Sequence, residues 1–126
     1  MILQKLIWLS IAGALGTLAR FGLSGFINRI NGASFLWGTV AVNIIGCLLA
    51  GLVWALFEKR WPVSGEFRMI VLIGFMGAFT TFSAVILDTG ELLRSAEWMR
   101  AVANVLLQNG VGVIALFLGV ALGRLA

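Results

Sequence analysis

The chain has 126 residues, 61% of them hydrophobic and only 11% charged, with a mean hydropathy of +1.08 and a formal net charge of +4. Soluble domains run nearer half apolar and a quarter charged, so the composition predicts an integral membrane protein with one domain over residues 1–126. The absence of His and the single Cys47 exclude a disulfide framework or a zinc site within one chain, and the singly scattered basic residues exclude a nucleic-acid patch.

Four apolar runs are long enough to cross a bilayer, which takes about 20 residues. They cover residues 2–27, 33–57, 69–93 and 101–125 and predict an all-α protein. The first run is too long for a cleavable signal peptide, and Arg20 interrupts it. A basic side chain at the bilayer centre costs about 2.5–3.5 kcal/mol on the insertion scale. Arg20 must therefore snorkel, pair or line water, and in a water-filled vestibule it would attract anions. On the second run Thr39 and Asn43 lie four apart and share a helix face. Gly46 and Ala50, Cys47 and Gly51, and Gly119 and Gly123 are small residues four apart, a spacing that favours close helix association.

The third run holds the most informative stretch, GFMGAFTTFS over residues 74–83. Glycine and β-branched threonine both weaken a helix, so a break is predicted near the centre of this span. Broken backbone at membrane depth is tolerated only where protein buries it or where it lines a cavity. The alternative is that these small residues merely let helices pack closely. Asp88 and Glu91 follow about one turn apart near the end of the run. The fourth run carries Asn104 and Gln108 on one face, with Asn109 beside them. Amides and hydroxyls in lipid must find partners, so they either glue helices together or line a polar track. Amide and hydroxyl hydrogens, with the electropositive edge of a phenylalanine ring, suit a dehydrated anion.

The short connections place the N-terminus, residues 58–68 and the C-terminus on one side. Its basic residues are Lys5, Lys59, Arg60, Arg68 and Arg124, against Arg29, Arg94 and Arg100 on the other side, joined by Arg20 if a residue so deep in the first span counts. This bias is weak for the positive-inside rule. It predicts either that both insertions are populated, so that inverted copies meet as an antiparallel dimer, or that a local charge decides one topology.

Three motifs then resemble the Fluc (CrcB) family of fluoride channels over the whole chain. Gly13-Ala-Leu-Gly16-Thr-Leu-Ala-Arg20-Phe21 is similar to the family's first-helix segment. Gly38-Thr39-Val-Ala-Val-Asn43 with Gly46 looks like its second-helix motif, and residues 74–83 match its most specific one. The resemblance implies four transmembrane helices, the third broken, in an antiparallel dual-topology homodimer in the inner cell membrane. It implies passive fluoride export through two pores, giving fluoride resistance, with the lipid bilayer as the other partner. It also implies a structural Na+ at the dimer centre, held by the carbonyls of Gly77 and Thr80. The family's pore asparagine falls on Asn43 and its first pore phenylalanine on Phe82. Hydroxyls at Thr39 and Ser83 would continue the polar track, and Arg20 matches the vestibule arginine. The chain departs from the family after Ser83, where Ala84 and Val85 replace a threonine and a second phenylalanine.

Two other readings stand beside this one. A small four-helix multidrug exporter would need a buried glutamate in its first helix, and this first run has only Arg20 as a deep charge. A membrane scaffold would show the same composition without transport. Catalysis is poorly supported, because Cys47 has no basic partner and Asp88 and Glu91 sit near a helix end.

Overall fold

The computed structural model describes residues 1–32 and 36–126, and all regular structure among them is helical. The elements are α1 (Ile2–Asn31), α2 (Trp37–Lys59), α3 (Gly65–Met69), α4 (Gly77–Phe79), α5 (Phe82–Arg94), α6 (Trp98–Leu106) and α7 (Gly112–Leu125). Two π-helical segments, Ile70–Met76 and Leu107–Val111, join α3 to α4 and α6 to α7. Together these make four spans, α1, α2, Gly65–Arg94 and Trp98–Leu125, each long and apolar enough to cross a membrane.

At two ends the local backbone and a cap, not hydrophobicity, set the boundary. α1 runs past the apolar stretch to Asn31, and Gly32 follows with a φ of 71°. That left-handed conformation suits glycine and helps to stop the helix. The third span starts at Gly65, earlier than its apolar pattern, because the Ser64 hydroxyl accepts the Phe67 N–H and caps the first turn. The predicted start of the second span at residue 33 lies outside the described residues.

Among the described residues α2 and α7 form the most extensive pairing. A Cβ on Gly51 would overlap the Leu116 carbonyl, one on Gly119 would overlap the Leu48 carbonyl, and one on Gly123 would crowd Ala55 and Leu52. The helices therefore meet backbone to backbone, as small residues allow in lipid. The glycines at 51, 119 and 123 thus serve contact between helices of one chain. On the other side of α2, α1 packs against the Ile70–Met76 segment and α4. There Gly16 faces the Phe75 carbonyl, and Gly74 lies against Ala12 and Leu9. Val42, Met76 and Phe79 form the buried centre, with Phe75 and Phe79 stacked at 6.0 Å.

At one end of the bundle Lys5 pairs with Glu66 at 3.9 Å, which brings the N-terminus and the second connection together. Leu18, Ile73, Leu87 and Phe117 are exposed around the spans. This is the surface a bilayer, not water, would cover. The chain is a multi-pass membrane protein.

Candidate functional site at the helix break

The third span is interrupted at its centre, as the motif predicts. Its glycines do not make the break. Gly77 is ordinary helix, with φ −63° and ψ −32°, and Gly74 is spent on close packing. The chain leaves the helix at two threonines, Thr80 (φ −88°, ψ 157°) and Thr81 (φ −151°, ψ 115°). Extended backbone suits a β-branched residue. Thr81 then caps the new helix, its hydroxyl accepting the Ala84 N–H at 3.2 Å. Ahead of the break the Thr80 hydroxyl donates to the Met76 carbonyl at 3.0 Å.

Side chains from two other spans hold this geometry. Asn43, buried on α2, faces Thr81 with both ends of its amide. Its Oδ1 accepts the Thr81 N–H at 2.8 Å, and its Nδ2 donates to the Thr81 carbonyl at 3.1 Å. Arg20 reaches over from α1, and its Nε donates to the Ala78 carbonyl at 3.0 Å. Arg20 thus meets a backbone carbonyl, and no carboxylate pairs with it among the described residues. It places positive charge at the C-terminal end of α4, where the helix dipole is negative.

These bonds have a further effect on the backbone. In a continuous helix the Thr81 N–H would serve the Gly77 carbonyl, and the Ala84 N–H would serve Thr80. Here they go to Asn43 and to the Thr81 hydroxyl instead. The carbonyls of Gly77 and Thr80 lose their helical donors, and Gly77 is exposed at the surface. Among the described residues no group of three or more His, Cys, Asp or Glu is placed to hold a metal ion. Neutral oxygens such as these two carbonyls are the donors that suit a small hard cation.

Two clefts flank the break. One of about 330 Å³ lies between α1, α2 and the start of α5, lined by Arg20, Ser24, Asn28, Thr39 and Thr81 among others. The other, of about 200 Å³, is lined by Asn43, Thr80, Thr81, Phe82, Val85 and Gln108, with Cys47 and Asn109. Thr81 belongs to both, so the Asn43–Thr81 pair stands at their junction. Arg20 and Thr39 fall in the first cleft, Asn43 and Phe82 in the second. The Ser83 hydroxyl lies 3.2 Å from that of Thr81. The Asp88 carboxyl lies beside the Thr39 hydroxyl, and its Oδ2 is buried with no hydrogen-bond partner among the described residues.

The motif match alone did not single out Thr81, the residue that both clefts share, or Gln108, whose Oε1 accepts from Asn43 Nδ2 at 2.6 Å. Gln108 carried a signal of its own, a polar residue four positions from Asn104 in the middle of an apolar span. Substitution at Arg20 separates its hydrogen bond to Ala78 from the anion attraction that the sequence resemblance implies. Arg20→Lys keeps the charge and loses the fixed Nε donor, whereas Arg20→Gln loses the charge. Arg20→Gln is expected to slow anion entry several-fold at low salt, with the deficit shrinking as ionic strength shortens the Debye length from about 30 Å at 0.01 M to 3 Å at 1 M. Initial anion-flux rates at several salt concentrations check this.

A bundle of four spans, one broken at mid-depth beside donor-lined clefts, defines a polytopic membrane protein with a site for an ion or small solute. Residues 7–120 match the family described as CrcB-like protein, Camphor Resistance (CrcB), and the chain belongs to that family. A protein of Desulforapulum autotrophicum called fluoride-specific ion channel FluC is 58% identical, over 97% of this chain and 98% of the relative. Proteins of the same name from Nitrosococcus oceani and Solidesulfovibrio magneticus are each 48% identical, over 97% and 98% of this chain and 98% and 99% of their own lengths.

Proposed function

We propose that the chain is a fluoride-selective channel through which cytoplasmic fluoride leaves the cell by passive electrodiffusion. The observation that carries this reading is the Asn43–Thr81 pair at the junction of two clefts, in a chain whose relatives are named for fluoride. Fluoride is small and strongly hydrated, so a pore must replace its water with hydrogen-bond donors. The cleft holding Arg20 concentrates anions. Thr39, Asn43 and Ser83 supply hydroxyl and amide hydrogens, and Phe82 presents a ring edge. Where Val85 takes the place of a second ring, Gln108 and Asn109 bring amides to the same cleft. An inside-negative potential drives the ion outward, each charge being worth about 2.3 kcal/mol per 100 mV.

The working unit is an antiparallel homodimer of dual topology in the inner cell membrane, with two pores. Phe82 is 71% exposed, and Ser83 and Asn109 are also exposed in the middle of their spans. Polar groups bare to hydrocarbon are costly, and an inverted second copy would cover this strip. The weak basic bias between the two sides supports both insertions. The diverted carbonyls of Gly77 and Thr80, one set from each copy, fit a structural Na+ at the twofold axis. These carbonyls would hold the cation between the copies, where its charge would offset the negative ends of two half-helices.

Efflux from liposomes tests the reading. Fluoride is expected to leave far faster than from empty vesicles, with chloride at the empty-vesicle level. Replacing sodium by a bulky organic cation throughout reconstitution is expected to abolish the flux. Fluoride release no faster than from empty vesicles would overturn the assignment.

A further inference from the structure

Two residues bonded in line with Gln108 have no part in that mechanism: Asn104 on the fourth span and Thr89 on α5. Asn104 is 0% exposed and Gln108 7%. They continue from Asn43 in a run of hydrogen bonds that all point one way. Asn43 Nδ2 donates to Gln108 Oε1 at 2.6 Å, and Gln108 Nε2 donates to Asn104 Oδ1 at 2.9 Å. Asn104 Nδ2 donates to the Thr89 hydroxyl oxygen at 3.0 Å, and that hydroxyl donates to the Val85 carbonyl at 2.7 Å.

The polarity follows from one fixed point. A backbone N–H only donates, so Thr81 N–H holds Asn43 Oδ1 toward itself and leaves the amino group facing Gln108. Gln108 must then present its oxygen, Asn104 must do the same toward Gln108, and the hydroxyl ends the run on a carbonyl. In this order both hydrogens of the Asn43 amino group are engaged, one on Thr81 and one on Gln108. An anion at Asn43 finds no donor until one of them lets go. The Thr81 carbonyl is backbone and held in place. Gln108 is a long side chain whose terminal torsion is soft, and it sits in the π segment Leu107–Val111. Such wide turns are frequent at functional sites.

We propose that Gln108 and Asn43 form a two-amide anion clamp, and that Asn104 and Thr89 are positioning residues that let it open and close. The clamp rests on the fluoride-channel reading above. When a small anion arrives, Gln108 turns its amide over, and both amino groups face the ion. The Gln108 oxygen now accepts from Asn104, which has also turned, and the Asn104 oxygen accepts the Thr89 hydroxyl hydrogen. The Val85 carbonyl gives up two side-chain donors, the Thr89 hydroxyl and the more distant Asn104 amino group, and stays within the continuous helix α5. Four short bonds and the long Asn104 Nδ2 contact to the Val85 carbonyl at 3.5 Å are exchanged for four bonds in the second order, two of them on the ion. Bonds to a charged acceptor are about twice as strong as neutral ones, so the anion itself drives the reversal.

The test is side-chain NMR on the full-length 15N-labelled chain in nanodiscs, titrated with sodium fluoride and, separately, sodium chloride. The NH₂ signals of Asn43, Gln108 and Asn104 are expected to move together along one fluoride saturation curve and to ignore chloride. Asn104 is separated from Asn43 by Gln108, so its response reports the reversal rather than contact. If Asn43 responds while Gln108 and Asn104 stay fixed, the clamp is overturned and the fluoride reading stands. If none of the three responds while liposomes still pass fluoride, the clamp is again overturned. If there is neither response nor flux, the fluoride reading falls with it. A flux comparison adds a second arm. Thr89→Val removes the hydrogen that the reversed order needs and is expected to lower fluoride flux about tenfold, the worth of one hydrogen bond. Thr89→Ser keeps it and is expected to match the parent. Equal flux in the two variants would overturn the relay.

Discussion

Asn43→Ala is expected to reduce fluoride efflux about a hundredfold or more while the chain still inserts. The substitution removes three bonds at once, two to Thr81 and one to Gln108. It also leaves the Thr81 N–H and carbonyl without their partner at the point where the span is broken. An abandoned buried backbone group costs about 1–3 kcal/mol, and a hundredfold loss corresponds to about 2.7 kcal/mol. Asn43→Asp separates geometry from charge. Its carboxylate still accepts the Thr81 N–H, but it cannot donate and it repels an anion. It is therefore expected to be as inactive as Asn43→Ala and to preserve the fold better. Efflux followed with a fluoride electrode, beside thermal unfolding of the purified protein, checks both. Near-normal flux in Asn43→Ala would remove Asn43 from the pathway.

Gly119→Val is expected to have the largest effect on stability. A Cβ at this position would overlap the Leu48 carbonyl, with the Leu52 nitrogen at 2.9 Å behind it. Both are backbone, so no side chain can rotate away, and α2 and α7 would have to separate along their length. Overpacking a well-packed core typically costs about 1–3 kcal/mol, and forcing two backbones apart belongs at or beyond the upper end. The expected result is aggregation on extraction or a large fall in melting temperature. Gly90→Ala serves as the control, because a Cβ at Gly90 meets nothing within 4 Å. Comparable behaviour of the two variants in size-exclusion chromatography would show that the α2–α7 seam has room for a side chain.

Much of the fold was legible because lipid leaves the backbone few choices. Four long apolar runs become four helical spans, and residue 20 stands out because a charge at depth needs a reason. The ends were harder to read. Ser64 starts the third span ahead of its apolar pattern, and a cap of one residue leaves little trace in hydropathy. The break was predicted in the right stretch for a partly wrong reason. Glycine weakens helices in isolation, yet Gly74 and Gly77 are helical here, and the chain turns where Thr81 can become extended and cap α5. Gln108 shows the remaining limit. Its polarity and spacing were visible, but its partner lies 65 positions away on another span. Only the packing of the second and fourth spans brings the two amides together.

Each bond described at the kink runs between atoms of one chain: Asn43 to Thr81, Arg20 to Ala78, Thr81 to Ala84. One copy's own side chains and backbone thus brace the bend, and in the inverted pair proposed above each half would bring its elbow already supported from within.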